Sequence, residues 1–310
     1  MTYNQFLNYV KEQSVYEFDH PEEYKASINH VVKNNSVELD GICLHRAGDT
    51  LSPTVYLNHF YEEYLEGRPL HSILSEIAAT LSSEVPELEV NTSLYDNYDA
   101  IRHQIIFRLV NYERNEELLT SCPYLPFCDL AITFRWLVHS DSSGIASALI
   151  TNKEMELWNI TLEELYQTAS INTRRLFPAT IQPIQQLLSE YLDKDADIQE
   201  LLDQTPDELQ LFILSNEPRI NGSTSMIYDG ILADFAKKIK KDLYILPSSI
   251  HEVLLLPDEE DISYDELSQM VAQINASEVL PQDRLSNQIY RYSRRSDSIE
   301  IVSSCMLPLN

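Results

Sequence analysis

Glycine is scarce in this chain, with six in 310 residues. That argues against a Gly-rich loop cradling phosphates and against repeats built on glycine turns. Basic residues are also few: 22 Lys and Arg face 49 Asp and Glu, a formal net charge of −27 with His neutral. Such a field repels nucleic-acid backbones and anionic membrane surfaces unless a local basic patch overrides it. Neither nucleic acid nor membrane is therefore expected as a partner. No apolar run approaches the roughly 18 residues that would read as a membrane-spanning helix. The opening MTYNQFLNYVKEQ lacks a basic segment followed by an apolar core, so no secretory signal is expected. Cysteine is limited to Cys43, Cys122, Cys128 and Cys305. The Cys122–Cys128 spacing fits neither a zinc knuckle nor a CxxC redox pair. Reduced, buried thiols in a cytoplasmic protein are the expectation.

What remains is an ordinary globular composition, 44% hydrophobic and 23% charged. The length suits one large domain or two of common size. Between Pro178 and Asp203 lie a further helix, carrying Ile184, Leu187, Leu188, Tyr191 and Leu192, and an acidic segment that is the natural junction. It predicts a helix-rich α+β region over 1–195 and a second α+β region over 205–310, or one continuous domain. The fold class is α+β: a helical N-terminal part with a small sheet, and a C-terminal mixed, mainly antiparallel sheet packed with helices.

The stretch from Leu209 to Pro257 organises the C-terminal half. Leu211 to Leu214 is an apolar run of strand length. Asn221-Gly222-Ser223 is a turn signal, and a short strand is expected after it. Asp229 is placed to cap a helix whose apolar face is Ile231, Leu232, Phe235 and Ile239. Leu243–Leu246 and Val253–Leu256 then read as two short strands around Pro247-Ser248-Ser249-Ile250, a connection too short for a parallel crossover.

Toward the N-terminus, residues 2–12 predict an amphipathic helix. Tyr24, Ile28, Val31 and Val32 predict a second, and Val37 to Leu44 a strand with an irregularity at Asp40-Gly41. Ser52-Pro53 reads as a helix start leading to Gly67, and Pro69 as the start of another. Ala100 to Tyr112 predicts a strand. Asp129 to His139 alternates, predicting a strand with one covered face and Thr133, Arg135 and His139 on the other. Ile145 to Ile150 returns as its hairpin partner. Thr161 with Glu164, and Ser263 with Glu266, have capping-box spacing. The tail from Gln288 to Val302 predicts one or two edge strands.

The sharpest polar cluster is Ser248-Ser249-Ile250-His251-Glu252. A catalytic reading makes a serine the nucleophile and His251 its base. No G-x-S-x-G elbow accompanies it, and the competing reading is a turn whose hydroxyls satisfy backbone groups. His59 and Glu63, or His20, His30 and His71, could be imagined as metal ligands, but no H-E-x-x-H pattern is present. Asp258 to Asp261 lacks the mid-loop glycine of a calcium loop. No metal and no cofactor are expected. Tyr290, Arg291, Tyr292, Arg294 and Arg295 interleave aromatics with guanidiniums as single-strand binders do. The competing reading is an edge strand guarded by arginine.

Several phrases taken together carry a resemblance: SPTVYLNHFYEEYLEG (52–67), RLVNYERNEELL (108–119), CDLAITFRW (128–136), WNITLEELYQTASINTRRLFP (158–178) and DLYILPSSIHEVLLLPD (242–258). They resemble a domain-of-unknown-function family widespread in anaerobic gut bacteria, over nearly the whole chain. The resemblance implies one shared architecture and a bacterial cytoplasm, and no activity. The expected function is a non-catalytic binding or protein-interaction module. The alternatives are a hydrolase or transferase using Ser248, Ser249, His251 and Glu252, and an acidic nucleic-acid mimic directed at a defence system.

Overall fold

Tyr24–Val32 forms a strand rather than the expected helix. The spacing of Tyr24, Ile28, Val31 and Val32 imitates a helical stripe, but these are β-branched and aromatic residues that fit a pleated surface. Tyr24, Ala26 and Ile28, alternating with period two, pack on the first hydrophobic core. The computed structural model describes residues 1–46, 53–82, 95–141, 144–186, 211–258 and 264–302. Two units divide the chain, Met1–Val90 and Asn91–Asn310. The junction expected between 195 and 205 lies outside the described residues.

The first unit opens with α1 (Tyr3–Gln13), begun by a capping box between Thr2 and Gln5. Then come β1 (Tyr24–Val32), β2 (Glu38–Arg46) and β3 (Thr54–Tyr56), an antiparallel sheet in the order β1-β2-β3. The β1–β2 register runs unbroken from Tyr24↔Arg46 to Val32↔Glu38, so the expected irregularity at Asp40-Gly41 is absent. Gly41 is there for room: a Cβ would stand 2.4 Å from Thr54 Cγ2 on β3. α2 (Asn58–Leu65) starts after β3, with Leu57 and not Pro53 at its N-terminus. Gly67 ends the turn beyond α2 at φ +101°. α3 (Leu70–Leu81) follows, its Ile73, Leu74, Ile77 and Leu81 buried with Phe6, Val10, Ile42 and Phe60.

The second unit holds two antiparallel sheets. The smaller one contains β4 (Ile105–Asn111), β5 (Tyr124–Phe127), β6 (Leu130–Asp141) and β7 (Gly144–Leu149). β4 pairs along one side of β6, while β5 and β7 share the other. The first part of the strand expected from Ala100 is instead helical, α4 (Tyr98–Ile101) and the turn after it. The larger sheet is antiparallel in every pairing and runs β13-β12-β10-β11-β9-β8. Its strands are β8 (Ala179–Pro183), β9 (Phe212–Asn216), β10 (Leu243–Leu246), β11 (Val253–Pro257), β12 (Tyr290–Ser293) and β13 (Ser298–Ile301). The expected β10–β11 hairpin is present, with Leu243 opposite Pro257. β12 lies inside the sheet, and β13 is the edge. Residues 179–183 are strand β8, and 184–186, where the expected helix begins, are helical. The later residues expected in that helix lie outside the described residues.

Helices α5 (Glu116–Ser121), α6 (Asn152–Trp158), α7 (Leu162–Leu176), α8 (Ile231–Ile239) and α9 (Tyr264–Ser277) complete the unit. The Thr161 capping box of α7 is formed: Glu164 N–H donates to Thr161 Oγ1 at 3.2 Å, and Thr161 N–H to Glu164 Oε2 at 2.8 Å. The corresponding box at Ser263 lies outside the described residues. Asp229 does not cap α8. Gly230 occupies that position at φ +81°, a conformation that glycine enters at little cost. The segment 222–227 before it is a 3₁₀ turn and not a strand.

One apolar cluster spans both sheets, joining Phe107, Leu109, Ile132 and Phe134 to Leu214, Ile245, Leu255 and Tyr290, with Leu165 of α7 and Phe235 of α8. α7 also closes the free edge of β4: Thr173 Oγ1 accepts from Phe107 N–H at 3.0 Å, and Asn172 Nδ2 donates to Ile105 O at 3.0 Å. That leaves the opposite face of the small sheet, which carries Ile106, Arg108 and Val110, to a separate environment.

Candidate functional site

Pro247–Glu252 is held from two sides by main-chain bonds. Segment 283–286 pairs with it, through Ile250 N–H to Asp283 O at 2.8 Å, Leu285 N–H to Ser248 O at 3.0 Å and Ser286 N–H to Pro247 O at 2.8 Å. The 3₁₀ turn meets it from the other side, with Ser223 N–H donating to Ile250 O at 3.2 Å. Gly222 makes this approach feasible. A Cβ there would lie 2.1 Å from Ser215 Oγ, 2.4 Å from His251 O and 2.8 Å from Asn216 N.

The hydroxyls around the loop are directed at the main chain. Ser249 Oγ accepts from His251 N–H at 3.0 Å. Ser215 Oγ donates to His251 O, and Ser223 Oγ to Ile250 O, each at 2.7 Å. Ser248 and Ser249 are both buried. The half-buried imidazole of His251, when neutral, accepts from Asn221 N–H at Nδ1 over 3.4 Å, while Nε2 lies 3.7 Å from Asp283 Oδ1. Bonding to the Asp283 carboxylate raises the His251 pKa above its ordinary value against the opposing effect of burial. The charges of Asp283 and of half-buried Glu252 add to it, as does the Arg219 carbonyl. The structure therefore brings Ser249, His251 and Glu252 into one loop, and adds Asp283 and Asn221 from distant segments. Among the hydrogen bonds of the described residues, none joins a seryl oxygen to the imidazole.

The Tyr-Arg stretch at 290–295 is also committed. Tyr290 and Tyr292 are buried side chains of β12. The Tyr290 hydroxyl and Ser286 Oγ both donate to Asp129, tying the larger sheet to the start of β6. Arg291 Nε donates to Asp258 at 2.8 Å and Arg294 Nε to Asp242 at 3.2 Å. Four of the imagined metal-ligand residues have other contacts: His20 lies 3.5 Å from Glu22 and His30 3.1 Å from Asp40, Glu63 accepts from Arg68, and the His59 ring lies against Phe60. Among the described residues no three of His, Cys, Asp and Glu gather as a metal would need.

The family model of DUF5688, a family of unknown function, matches residues 3–294. The chain belongs to that family. No curated protein and no solved structure matches it. Among the described residues of this DUF5688 protein, no helix is long and apolar enough to cross a membrane. Cys43 and Cys122 are free and buried as expected. Cys128 is free but exposed, in a turn residue at φ +52°, and Cys305 lies outside the described residues.

Sequence reasoning passed over one pair of residues in this DUF5688 chain. Arg108 on β4 and Arg135 on β6 share the face of the small sheet opposite the main core, between Val110, Cys122 and Ala131 on one side and Ile106 and Leu137 on the other. The alternation of β6 assigned Arg135 to a solvated face, yet Thr133 beside it is fully buried and Arg135 only partly exposed. The clue in the sequence was a pair of arginines on the same face of adjacent strands, with no acid at a matching position.

Proposed function

We propose that this protein is a non-catalytic binding module of the bacterial cytoplasm, acting on a protein or a small ligand. The observation that carries it is the bond from His251 N–H to Ser249 Oγ. A serine nucleophile needs its hydroxyl aimed at the base, within about 2.6–3.2 Å of the imidazole. Here that oxygen accepts from the backbone of the very residue whose ring would have to activate it. The −27 charge supports a reading without nucleic acid or membrane as partner. The test is a fluorophosphonate label on the full chain. No labelling at Ser248 or Ser249 is expected, and stoichiometric labelling that disappears in His251→Gln would overturn the reading.

A second reading, a hydrolase or transferase, is favoured by the approach of His251 Nε2 to Asp283. A histidine oriented by a carboxylate is half of an acid–base apparatus. Turnover abolished by both His251→Gln and Asp283→Asn, with melting temperature unchanged, would establish it.

A further inference from the structure

The antiparallel register sets the geometry of the arginine pair. Arg108 stands opposite Thr133, and Arg135 is two residues further along the same strand, opposite Ile106. The two side chains therefore leave one face of the sheet as diagonal neighbours, within mutual reach of long side chains at about 7–8 Å between positions. Arg135 is fixed in orientation, Nε donating to Ser147 Oγ at 2.7 Å and Nη2 to Ser147 O at 2.8 Å. Its Nη1 makes no hydrogen bond among the described residues. Arg108 Nε is shielded from solvent and has no hydrogen-bond acceptor among the described residues. Neither guanidinium has a carboxylate partner among them, whereas Arg46, Arg68, Arg102, Arg174, Arg291 and Arg294 all do.

Two like charges crowded into an apolar setting are costly. Each loses hydration worth several kcal/mol, and each repels the other across a medium that screens poorly. The chemistry responds accordingly: burial first, then the charge of Arg135, drags the Arg108 pKa down to about 9. Burial likewise lowers that of Arg135. Both residues nevertheless keep part of their surface open to solvent. A guanidinium is a planar fork that matches the two oxygens of a carboxylate or the edge of a phosphate.

We propose that Arg108 and Arg135 form a binding site for a small oxyanion, the carboxylate or phosphate group of a metabolite-sized ligand, on the face of the four-stranded sheet opposite the main core. The anion supplies the missing counter-charge to both guanidiniums, accepting from Nη1 of Arg135. The site gives the binding-module reading a ligand class but does not depend on it: serine labelling would remove that reading and leave this site standing.

The experiment titrates the full chain with inorganic phosphate and, separately, with acetate, each against chloride at equal ionic strength. Binding is followed by melting temperature and by calorimetry. Saturable binding is expected for one probe or both, at least tenfold weaker in Arg108→Met and in Arg135→Met. A response to phosphate alone assigns a phosphate ester, and a response to acetate alone a carboxylate. Without anion, Arg108→Met should melt at or above the wild type, because it removes an uncompensated buried charge at similar volume. Equal responses in wild type and variants would overturn the proposal. So would an Arg108→Met protein that melts lower than the wild type and leaves anion binding intact. Should that variant fail to fold, the wild-type titration and Arg135→Lys decide. No saturable binding in the wild type refutes the site, as does unchanged binding in Arg135→Lys, which keeps the charge and loses the fork.

Discussion

Replacing Gly222 by alanine is the sharpest probe of how the Pro247–Glu252 loop is held. The added methyl would meet Ser215 Oγ at 2.1 Å, His251 O at 2.4 Å and Asn216 N at 2.8 Å. The first contact is a side chain that can turn away. The other two are backbone atoms, one on β9 and one on the loop, and can be relieved only by moving those segments apart. Overpacking in a tight core costs about 1–3 kcal/mol. Two backbone contacts below 3 Å put Gly222→Ala at the upper end, about 3 kcal/mol. For a unit of this size that corresponds to about 6–12 °C in melting temperature. Urea unfolding read by tryptophan fluorescence suits the measurement, since Trp136 and Trp158 both belong to the second unit. Ser215→Ala alone should cost about 1–3 kcal/mol by stranding His251 O. In the double variant the side-chain contact is gone while both backbone contacts persist, so it should remain clearly less stable than Ser215→Ala. The reasoning fails if Gly222→Ala lies within about 0.5 kcal/mol of the wild type, or if the double variant is no worse than Ser215→Ala.

His251→Gln should cost about 0.5–1.5 kcal/mol where the histidine is charged. Because the folded pKa is raised, that contribution is complete below the ordinary value near 6.5 and is lost as pH rises through the raised value. Unfolding curves at pH 6 and pH 9 should therefore show the wild-type advantage shrinking with pH, and an advantage that grows instead would sink the assignment. Phe235→Ala removes a ring that packs edge-on against Phe212 at 4.9 Å between centroids, and should cost about 3–5 kcal/mol in urea; a loss below 1 kcal/mol would contradict its place in the core. Thiol titration of the denatured, non-reduced chain should count four, and a count of two would refute free cysteines. In the native state Cys128, as the exposed residue, should react before Cys43 and Cys122, and faster with rising pH, because partial desolvation of its sulfur and the charge of Asp129 push its pKa up to about 11.

The parts legible in the sequence were those decided by neighbours in the chain. The Thr161 capping box and the hairpin around Pro247–Ile250 depend on a few consecutive residues, and both are present. Tyr24–Val32 was misread because four apolar residues satisfied a helical spacing, while the strand is determined by its partner at 38–46. The site followed the same division. The loop at 248–252 could be located, but Asn221 and Asp283, which bracket its imidazole, come from segments about thirty residues to either side. The arginine pair was hidden for a related reason. Alternation tells which residues share a face, and says nothing of whether that face is covered by segments elsewhere in the chain.

The pairing of β8 with β9 has a consequence for engineering. Pro183 sits opposite Phe212, and Ile184 N–H donates to Leu211 O at 2.9 Å, so the two ends of residues 187–210 emerge side by side from a finished hairpin. The sheet fixes where that connection starts and stops and places no demand on its length. The position is thus a natural port: a reporter domain or an affinity tag could be spliced there with its termini already held together, and the hairpin that receives it would not have to be rebuilt.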